Sequence, residues 1–219
     1  MPPKAKYTRN EIVDAAYELV REQGAEALTA REVAKRLGTS PSPIFALFRD
    51  MEELKSAVKE RAADCFGSYM ADAERYHPAY KRRGMQWVKF AQEEPMLFRL
   101  LFMQDMHGVD LDTALQKLPF DVDTDIAIIM QDYRATQAQA EHLFRQMWIY
   151  TYGMCTMCAA KVCAFTEQEI ALRLGEIFQG MIFVLRADKE REASVRPVAR
   201  DSVDGRELQR HAPDLSRDS

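Results

Sequence analysis

Two cysteines separated by two residues are the side chains of this sequence best suited to redox or metal chemistry. Cys155 and Cys158 form a C-x-x-C pair, and Cys163 follows them. On a helix the first two thiols are neighbours at i, i+3, a spacing that can serve zinc binding or a redox-active dithiol. The four histidines lie far apart in the sequence, and cysteine is a common small core residue. Core packing is therefore the favoured interpretation, with redox sensing and metal binding as alternatives.

Three alternating aspartates imitate the start of a calcium-binding loop: Asp121, Asp123 and Asp125. Such a loop needs a glycine at its sixth position and a bidentate glutamate at its twelfth. This sequence has Ile126 and Asp132 there. Acids are also favoured at the start of a helix, next to the positive end of its dipole. We therefore expect a helix N-terminus here, and no metal or other cofactor.

Motifs for covalent or phosphoryl chemistry are missing from the sequence. It contains no nucleophile elbow, no P-loop and no dinucleotide-binding glycine pattern. We expect a protein that is not an enzyme, and keep an all-helical enzyme as the third hypothesis.

A helix, a tight turn and a second helix are predicted from Leu28 to Leu54. Thr29 and Glu32 have the spacing of a capping box, which opens a helix. Gly38 is suited to end it, because glycine takes the left-handed conformation without steric cost.

Ser40 can cap the next helix, with Pro41 at its first position and Pro43 still in its first turn. Asp50 and Glu53 then form another capping box. Two helices of about two to three turns joined at a glycine are a helix-turn-helix, whose second helix enters the DNA major groove.

By its residues this region resembles the N-terminal domain of TetR-type transcriptional regulators. The matching features are the leading helix from Tyr7 to Gly24, capped by Thr8 and Glu11, and then Leu28-Thr29, Ala34, Leu37-Gly38, Ser40, Ile44, Phe45, Phe48 and Glu52-Glu53-Leu54. The resemblance implies a DNA-binding domain, which we place at residues 1–50, and a double-stranded operator as its partner. The DNA-facing residues it implies are Thr29, Arg31, Lys35, Ser40, Pro41, Ser42, Pro43, Phe45, Arg49 and Lys55.

The second helix of the motif departs from the family pattern. Many relatives have Lys, Gly and Thr where this chain has Pro41, Ser42 and Pro43, and Tyr where it has Phe45. Pro41 has no donor group, and Phe45 lacks the hydroxyl that would contact a phosphate. Apolar contacts to thymine methyl groups are an alternative, so base specificity stays open.

Net charge does not itself indicate a nucleic-acid binder, since the chain carries -4 at pH 7. Residues 1–49, however, have a small excess of basic over acidic side chains. Such an excess fits a positive footprint on one face of the domain.

From residue 51 onward every periodic segment is helical, which predicts an all-α fold. A long helix is expected from Asp50 to about Tyr76, a loop over residues 104–120, and long helices from Thr136 to about Ala164 and from Thr166 to about Arg186. The segment KFAQEEPMLFRLLFM resembles the C-terminal ligand domain of a TetR subgroup. We therefore assign residues 51–187 to a helical ligand-binding and dimerisation bundle and residues 188–219, which are polar, to a disordered tail.

Many aromatic and methionine side chains lie in this bundle, and helical bundles commonly hold ligand cavities. We expect a small apolar or aromatic effector to contact Phe66, Trp87, Phe90, Phe98, Phe102, Met130, Tyr133, Phe144, Met147, Trp148 and Tyr152.

The last predicted helix is apolar on more than one face and needs additional cover. A second copy of the chain is the simplest cover, in an isologous four-helix interface. The predicted homodimer contacts are Ile170, Leu174, Ile177, Phe178, Met181, Ile182 and Leu185.

Composition is that of an ordinary water-soluble chain of 219 residues, with 47% hydrophobic and 29% charged residues. No signal peptide is recognisable, and no apolar run reaches the roughly 18 to 20 residues that span a bilayer. We expect a cytoplasmic protein without a membrane partner. The leading hypothesis is a ligand-responsive repressor on a pseudo-palindromic operator; the alternative is a helical small-molecule binding or thiol redox-sensing protein with weakened DNA binding.

Overall fold

The computed structural model describes residues 7–195. This range contains ten α-helices and no β-strand, so the all-α prediction is confirmed. The helices are α1 Arg9–Gln23, α2 Ala30–Leu37, α3 Ser42–Phe45, α4 Met51–Ala71, α5 Ala79–Glu93, α6 Pro95–Phe102, α7 Leu111–Gln116, α8 Val122–Tyr133, α9 Gln137–Ala159 and α10 Glu167–Val195.

Helix α1 begins and ends as its sequence predicts. The Thr8 side chain accepts a hydrogen bond from the Glu11 N–H, and the Glu11 carboxylate accepts one from the Thr8 N–H at 2.7 Å. Gly24 ends the helix with φ 89°. Ile12 and Val20 on its buried face have no solvent exposure, and they pack with α2, α3 and the start of α4 into the core of a small N-terminal domain.

Helix α4 buries side chains along its whole length. Leu54 and Val58 are completely buried, Phe66 and Met70 are nearly so, and all four belong to one continuous hydrophobic core. The helix ends at Ala71 rather than at about Tyr76, because the chain tightens into a 3₁₀ turn over Asp72–Arg75.

Helix α5 is the central element of the bundle. It packs against α4, α6, α8, α9 and α10, and Val88, Phe90 and Ala91 are fully buried along it. Gly84 allows α10 to approach closely, since a Cβ there would lie 3.1 Å from Leu174 Cδ1. Side chains on α5 therefore face every wall of the bundle interior.

Three further predicted boundaries change. Helix α9 ends at Ala159 rather than at about Ala164. The expected loop over residues 104–120 contains α7, because the Asp110 carboxylate caps it by accepting hydrogen bonds from the Thr113 N–H and hydroxyl, each at 2.9 Å. Helix α10 starts at the predicted Thr166 and Glu169 cap and continues past Arg186 to Val195. The remainder of the predicted disordered tail, residues 196–219, lies outside the described residues.

Within residues 7–195 none of the helices combines the length and the apolar character needed to cross a bilayer.

Candidate functional site

The turn between α2 and α3 has the predicted glycine geometry. Gly38 takes φ 65° and ψ 39°, and the N–H of Thr39 donates to the Ala34 carbonyl at 2.9 Å. At the other end of α2, Thr29 accepts from the Glu32 N–H at 3.3 Å. Only this half of the predicted capping box forms, because the Thr29 N–H already donates to the Ala27 carbonyl at 2.9 Å.

Helix α3 is shorter than predicted and begins later. It covers a single turn, Ser42–Phe45, with Pro41 at the N-cap and no side-chain cap, so the predicted Ser40 cap is wrong. Pro41 and Pro43 supply no N–H, which leaves few hydrogen bonds to define a longer helix. The chain continues as a tight turn in which the N–H groups of Leu47 and Phe48 donate to the Ile44 carbonyl.

Contacts from α1 hold this turn in place. The Arg9 guanidinium lies 4.2 Å from the centre of the Phe48 ring and donates to the Glu53 carboxylate at 2.8 Å. The Glu53 carboxylate also accepts from the Arg49 N–H at 2.8 Å. This backbone hydrogen bond, together with Arg9, lowers the pKa of Glu53. Tyr7 donates its hydroxyl to the Leu37 carbonyl at 2.5 Å, at the end of α2.

The side chains predicted to face DNA are accessible to solvent. All of them are exposed except Pro43, which is partly buried: Thr29, Arg31, Lys35, Ser40, Pro41, Ser42, Phe45, Arg49 and Lys55 are the exposed ones. The Phe45 side chain is 50% exposed, so half of a large apolar ring is left open to contact a partner. Arg49 pairs with Asp50 at 3.0 Å and Lys55 with Glu52 at 2.7 Å, whereas Arg31 has no ion-pair partner within the described range. Their contact with DNA stays a prediction.

A buried carboxylate joins the N-terminal domain to the bundle. Glu94, between α5 and α6, accepts from Arg21 Nε at 2.7 Å and from Arg21 Nη2 at 2.5 Å. The Glu94 side chain is 7% exposed. The last turn of α1 is thereby attached to the end of α5.

The bundle contains a cavity of about 310 Å³. This volume is at the small end of the range for ligand pockets, roughly 300 to 1,000 Å³. Its wall comes from α5, α8, α9 and α10, the end of α4, and Phe120, and is formed by Met70, Pro78, Tyr80, Lys81, Arg83, Gly84, Trp87, Phe120, Asp125, Tyr133, Phe144, Met147, Trp148, Thr151, Leu174, Gly175, Phe178 and Gln179.

The predicted effector contacts divide into two groups. Trp87, Tyr133, Phe144, Met147 and Trp148 line the cavity. The others lie outside its wall, and their contact with an effector stays a prediction: Phe66, Phe90, Phe98, Phe102, Met130 and Tyr152.

The excluded rings pack against one another instead. The Phe66 ring centre lies 5.2 Å from that of Phe90 and 5.1 Å from that of Phe102, in edge-to-face contacts, and the Phe98 and Phe102 ring centres are 5.2 Å apart. Tyr152 uses its hydroxyl to donate to the Phe102 carbonyl at 3.0 Å. These side chains are structural core.

Polar groups of the cavity were not predicted as a site. Arg83 Nε donates to the Asp125 carboxylate, and both residues are buried. Burial raises the pKa of Asp125, although the Arg83 charge opposes the shift. Asp121, by contrast, caps α8 as predicted, accepting from the Asp123 N–H at 3.0 Å. The sequence contained one signal for the Arg83–Asp125 pair: Asp125 is a further aspartate in α8, although Asp121 already caps that helix.

The predicted dimer stripe also divides. Ile170, Leu174 and Phe178 are 3%, 2% and 9% exposed and pack inside their own subunit. Ile177 is exposed, and Met181, Ile182 and Leu185 are partly buried. Besides Ile177, the large apolar side chains exposed on the described parts of α9 and α10 are Ile149, Met157, Leu172, Phe183 and Val184.

The thiols lie in a core environment. Cys155 and Cys158 are buried, and burial raises the pKa of both, that of Cys158 to about 11. A thiol of this kind is almost entirely protonated near neutral pH and reacts slowly. No cluster of three metal-ligating side chains occurs in the part of the chain that the structure describes.

Comparison with known proteins finds a family match in the N-terminal domain. Residues 12–58 match the family described as "Bacterial regulatory proteins, tetR family". The chain is 26% identical over 131 residues to tetracycline repressor protein class D of Escherichia coli and to class H of Photobacterium damsela subsp. piscicida. The aligned region covers 58% of this chain and 56% of each of these curated relatives.

Solved structures share the fold. A TetR-like transcriptional regulator from Rhodococcus sp. RHA1 superimposes with a TM-score of 0.59 at 15% identity, over 78% of this chain and 92% of that one. A TetR family member from Streptomyces coelicolor A3 gives 0.55 at 15% identity, over 77% and 96%. At these identities the likeness concerns architecture alone.

Proposed function

We propose that this chain, whose residues 12–58 match the tetR family of bacterial regulatory proteins, is a homodimeric transcriptional repressor that a small effector releases from its operator. The observation that carries the proposal is one continuous structure: an exposed helix-turn-helix joined through α4 and the Arg21–Glu94 pair to a cavity of about 310 Å³.

DNA contact is assigned to the exposed side chains around α2 and α3. Arg31 and Lys35 supply positive charge for phosphates, and Phe45 and Pro43 supply apolar surface for base edges. In a dimer the two α3 turns would enter major grooves about 34 Å apart, so the operator is expected to be a pseudo-palindrome.

Dimerisation is assigned to the outer surfaces of α9 and α10. Leu172, Phe183 and Val184 are 61%, 74% and 56% exposed on α10. Gly180 lies between them, and a Cβ there would meet nothing within 4 Å, which leaves room for a second helix. Pairing of α9 and α10 with their copies would cover this apolar surface in an isologous bundle.

Release is assigned to the elements that the cavity shares with the DNA-binding domain. An effector contacts α5 through Trp87 and the end of α4 through Met70. Helix α5 leads to Glu94, which holds α1, and α4 begins directly after the α3 turn. An effector that binds more tightly to a dimer with different head spacing lowers DNA affinity by that difference.

Selection of operators from random double-stranded DNA with the full chain tests the proposal. We expect a pseudo-palindromic consensus, and a binding constant whose salt dependence becomes shallower by about one phosphate contact in Arg31→Ala. Lys89→Ala, which removes an exposed lysine on α5, is the matched control and should change neither. Failure of the full chain to enrich any sequence would refute operator binding.

The dimer is tested separately by light scattering. Phe183→Glu should yield a monomer that binds a half-site only weakly, whereas Val109→Glu, at an exposed apolar residue outside α9 and α10, should stay dimeric. A Phe183→Glu protein that remained a dimer would rule out this interface.

A further inference from the structure

The wall of the bundle cavity carries an excess of one positive charge. Its charged residues are Lys81, Arg83 and Asp125. Arg83 and Asp125 are committed to one another, with their side chains 10% and 9% exposed. Lys81 has no ion-pair partner among the described residues. A Cβ on Gly175 would lie 3.8 Å from Lys81 Nζ, so the ammonium extends from α5 to the surface of α10 beside the cavity.

A second polar group of the wall lacks a partner inside the protein. Trp148 Nε1 is shielded from solvent and has no hydrogen bond, although buried indole N–H groups normally find an acceptor. The ring stacks on Tyr152 with 4.9 Å between centres and an interplanar angle of 15°, which fixes its orientation. Its donor is therefore held in place for an acceptor from outside the chain.

The rest of the wall is mainly apolar and aromatic. Trp87, Phe120, Phe144, Met147 and Phe178 surround the space, and such surfaces favour a flat hydrocarbon body. A cationic ligand would be repelled by Lys81 and would compete with Arg83 for Asp125. A ligand with one negative charge would instead neutralise Lys81.

We propose that the cavity binds an aromatic monocarboxylic acid, with its ring body among the apolar side chains, its carboxylate at Lys81, and an acceptor oxygen on Trp148 Nε1. The assignment rests on the proposed effector function of this cavity and names the ligand class. Binding of such an acid would depend on Lys81 and Trp148 as well as on the apolar wall, whereas binding of a simple hydrocarbon would depend on the apolar wall alone.

The two tryptophans provide an intrinsic fluorescence probe of the cavity. The chain has two tryptophans, Trp87 and Trp148, and both line the cavity. Binding can therefore be followed by intrinsic fluorescence of the full chain without DNA, and confirmed by calorimetry.

Matched acids and neutral amides are the probes: 3-phenylpropionate, 4-phenylbutyrate and cinnamate, each against its primary amide. We expect the acid of at least one pair to change the fluorescence and to bind about tenfold more tightly than its amide, as for one charge-assisted hydrogen bond. Lys81→Met should remove this preference and leave amide affinity unchanged. Lys89→Met, at an exposed lysine of the same helix, should have no effect.

Three results would overturn the assignment: no fluorescence change or heat with any pair, amides binding as tightly as acids throughout, or an acid preference that survives Lys81→Met. Trp148→Phe should weaken acids and amides alike, because both present a carbonyl acceptor. The binding assay contains no DNA, so the two proposals can fail separately. A failed operator selection would refute the proposed repressor and leave acid binding standing. Absence of acid binding would refute the assigned ligand class and leave operator binding standing.

Discussion

The Arg21 guanidinium grips the Glu94 carboxylate with two hydrogen bonds, at 2.7 and 2.5 Å, between the last turn of α1 and the junction of α5 and α6. Glu94 is nearly buried while the Arg21 side chain is 46% exposed. This pair joins the N-terminal domain to the helical bundle by a bidentate contact, whose geometry tolerates little displacement.

Arg21→Ala should destabilise the full chain by about 1–3 kcal/mol, because a buried carboxylate loses both of its donors. Urea unfolding measures this loss. Arg36→Ala is the control, since Arg36 makes an equally short bidentate contact with Glu22 on an exposed surface of the N-terminal domain, and exposed pairs contribute about 0–1 kcal/mol. Equal losses in the two variants would contradict the assigned role of burial.

Phe45→Tyr should raise operator affinity by about two- to tenfold, the equivalent of one hydrogen bond to a phosphate. The ring is 50% exposed, so the added hydroxyl is accommodated without repacking. Fluorescence anisotropy on a selected operator measures the change, with Phe45→Leu as the variant that keeps an apolar side chain and gains no donor. A tyrosine variant no tighter than the leucine variant would exclude a phosphate near this position.

Two glycines should respond to alanine with opposite signs. Gly38 takes φ 65° at the end of α2, so Gly38→Ala should cost about 1 kcal/mol of stability from backbone strain alone, because a Cβ would meet nothing within 4 Å. Gly67 lies inside α4 and is equally open, so Gly67→Ala should stabilise by about 0.5–1 kcal/mol. Urea denaturation of the two variants gives the comparison; stabilisation by Gly38→Ala would contradict the left-handed turn.

Cys158 should resist alkylation near neutral pH. Its pKa of about 11 leaves little thiolate at pH 7.5, and its reaction with iodoacetamide should speed up about tenfold per pH unit below that value. Peptide mapping by mass spectrometry after timed alkylation measures this, with urea-unfolded protein as the control in which every thiol reacts. Rapid modification of Cys158 in the folded chain would contradict this expectation and support the alternative hypothesis of a thiol redox sensor.

Acid should loosen the N-terminal domain. The pKa values of Glu11, Asp50 and Glu53 are lowered, first of all by backbone hydrogen bonds at helix starts. A lowered pKa in the folded state means stability that is fully present above the unfolded value, about 3.9 for Asp and 4.3 for Glu, and lost as pH falls through the folded value.

Thermal melts from pH 6 to pH 3 should therefore show a weaker pH dependence in Glu11→Gln than in the parent chain. Glu60→Gln, on an exposed position of α4, is the control and should keep the parent slope. An unchanged slope in Glu11→Gln would remove this cap from the acid response.

Local chemistry made much of the fold predictable. Thr8, Gly24, Gly38 and Asp50 act through hydrogen bonds and backbone angles within a few residues of themselves, and each lies at a helix boundary where the sequence indicates one. The length of α3 was harder to predict. Pro41 and Pro43 lack the N–H groups that a longer helix would use, but this does not specify which turn forms in place of the helix.

The cavity could be predicted only in part, because its wall depends on which helices meet. Phe144 and Phe66 are both buried aromatic residues on helices, yet only the first lines the cavity. Arg83 and Asp125 are 42 residues apart in the chain. The sequence around either residue does not indicate that the two charges form a pair. Leu174 and Phe178 fit the apolar stripe of α10 equally well for dimerisation or for the interior, and tertiary packing placed them inside.

The burial of α4 along its whole length sets where this protein can be recombined with others. Leu54, Val58, Phe66 and Met70 all lie in one continuous core, and α1 packs against α4. A graft that exchanges residues 1–50 would therefore place a foreign α1 and α2 against the native first half of α4. A hybrid protein would have to be joined inside α4, between Val58 and Phe66, and would also have to carry an arginine opposite Glu94. The natural seam for engineering thus lies in the middle of a helix.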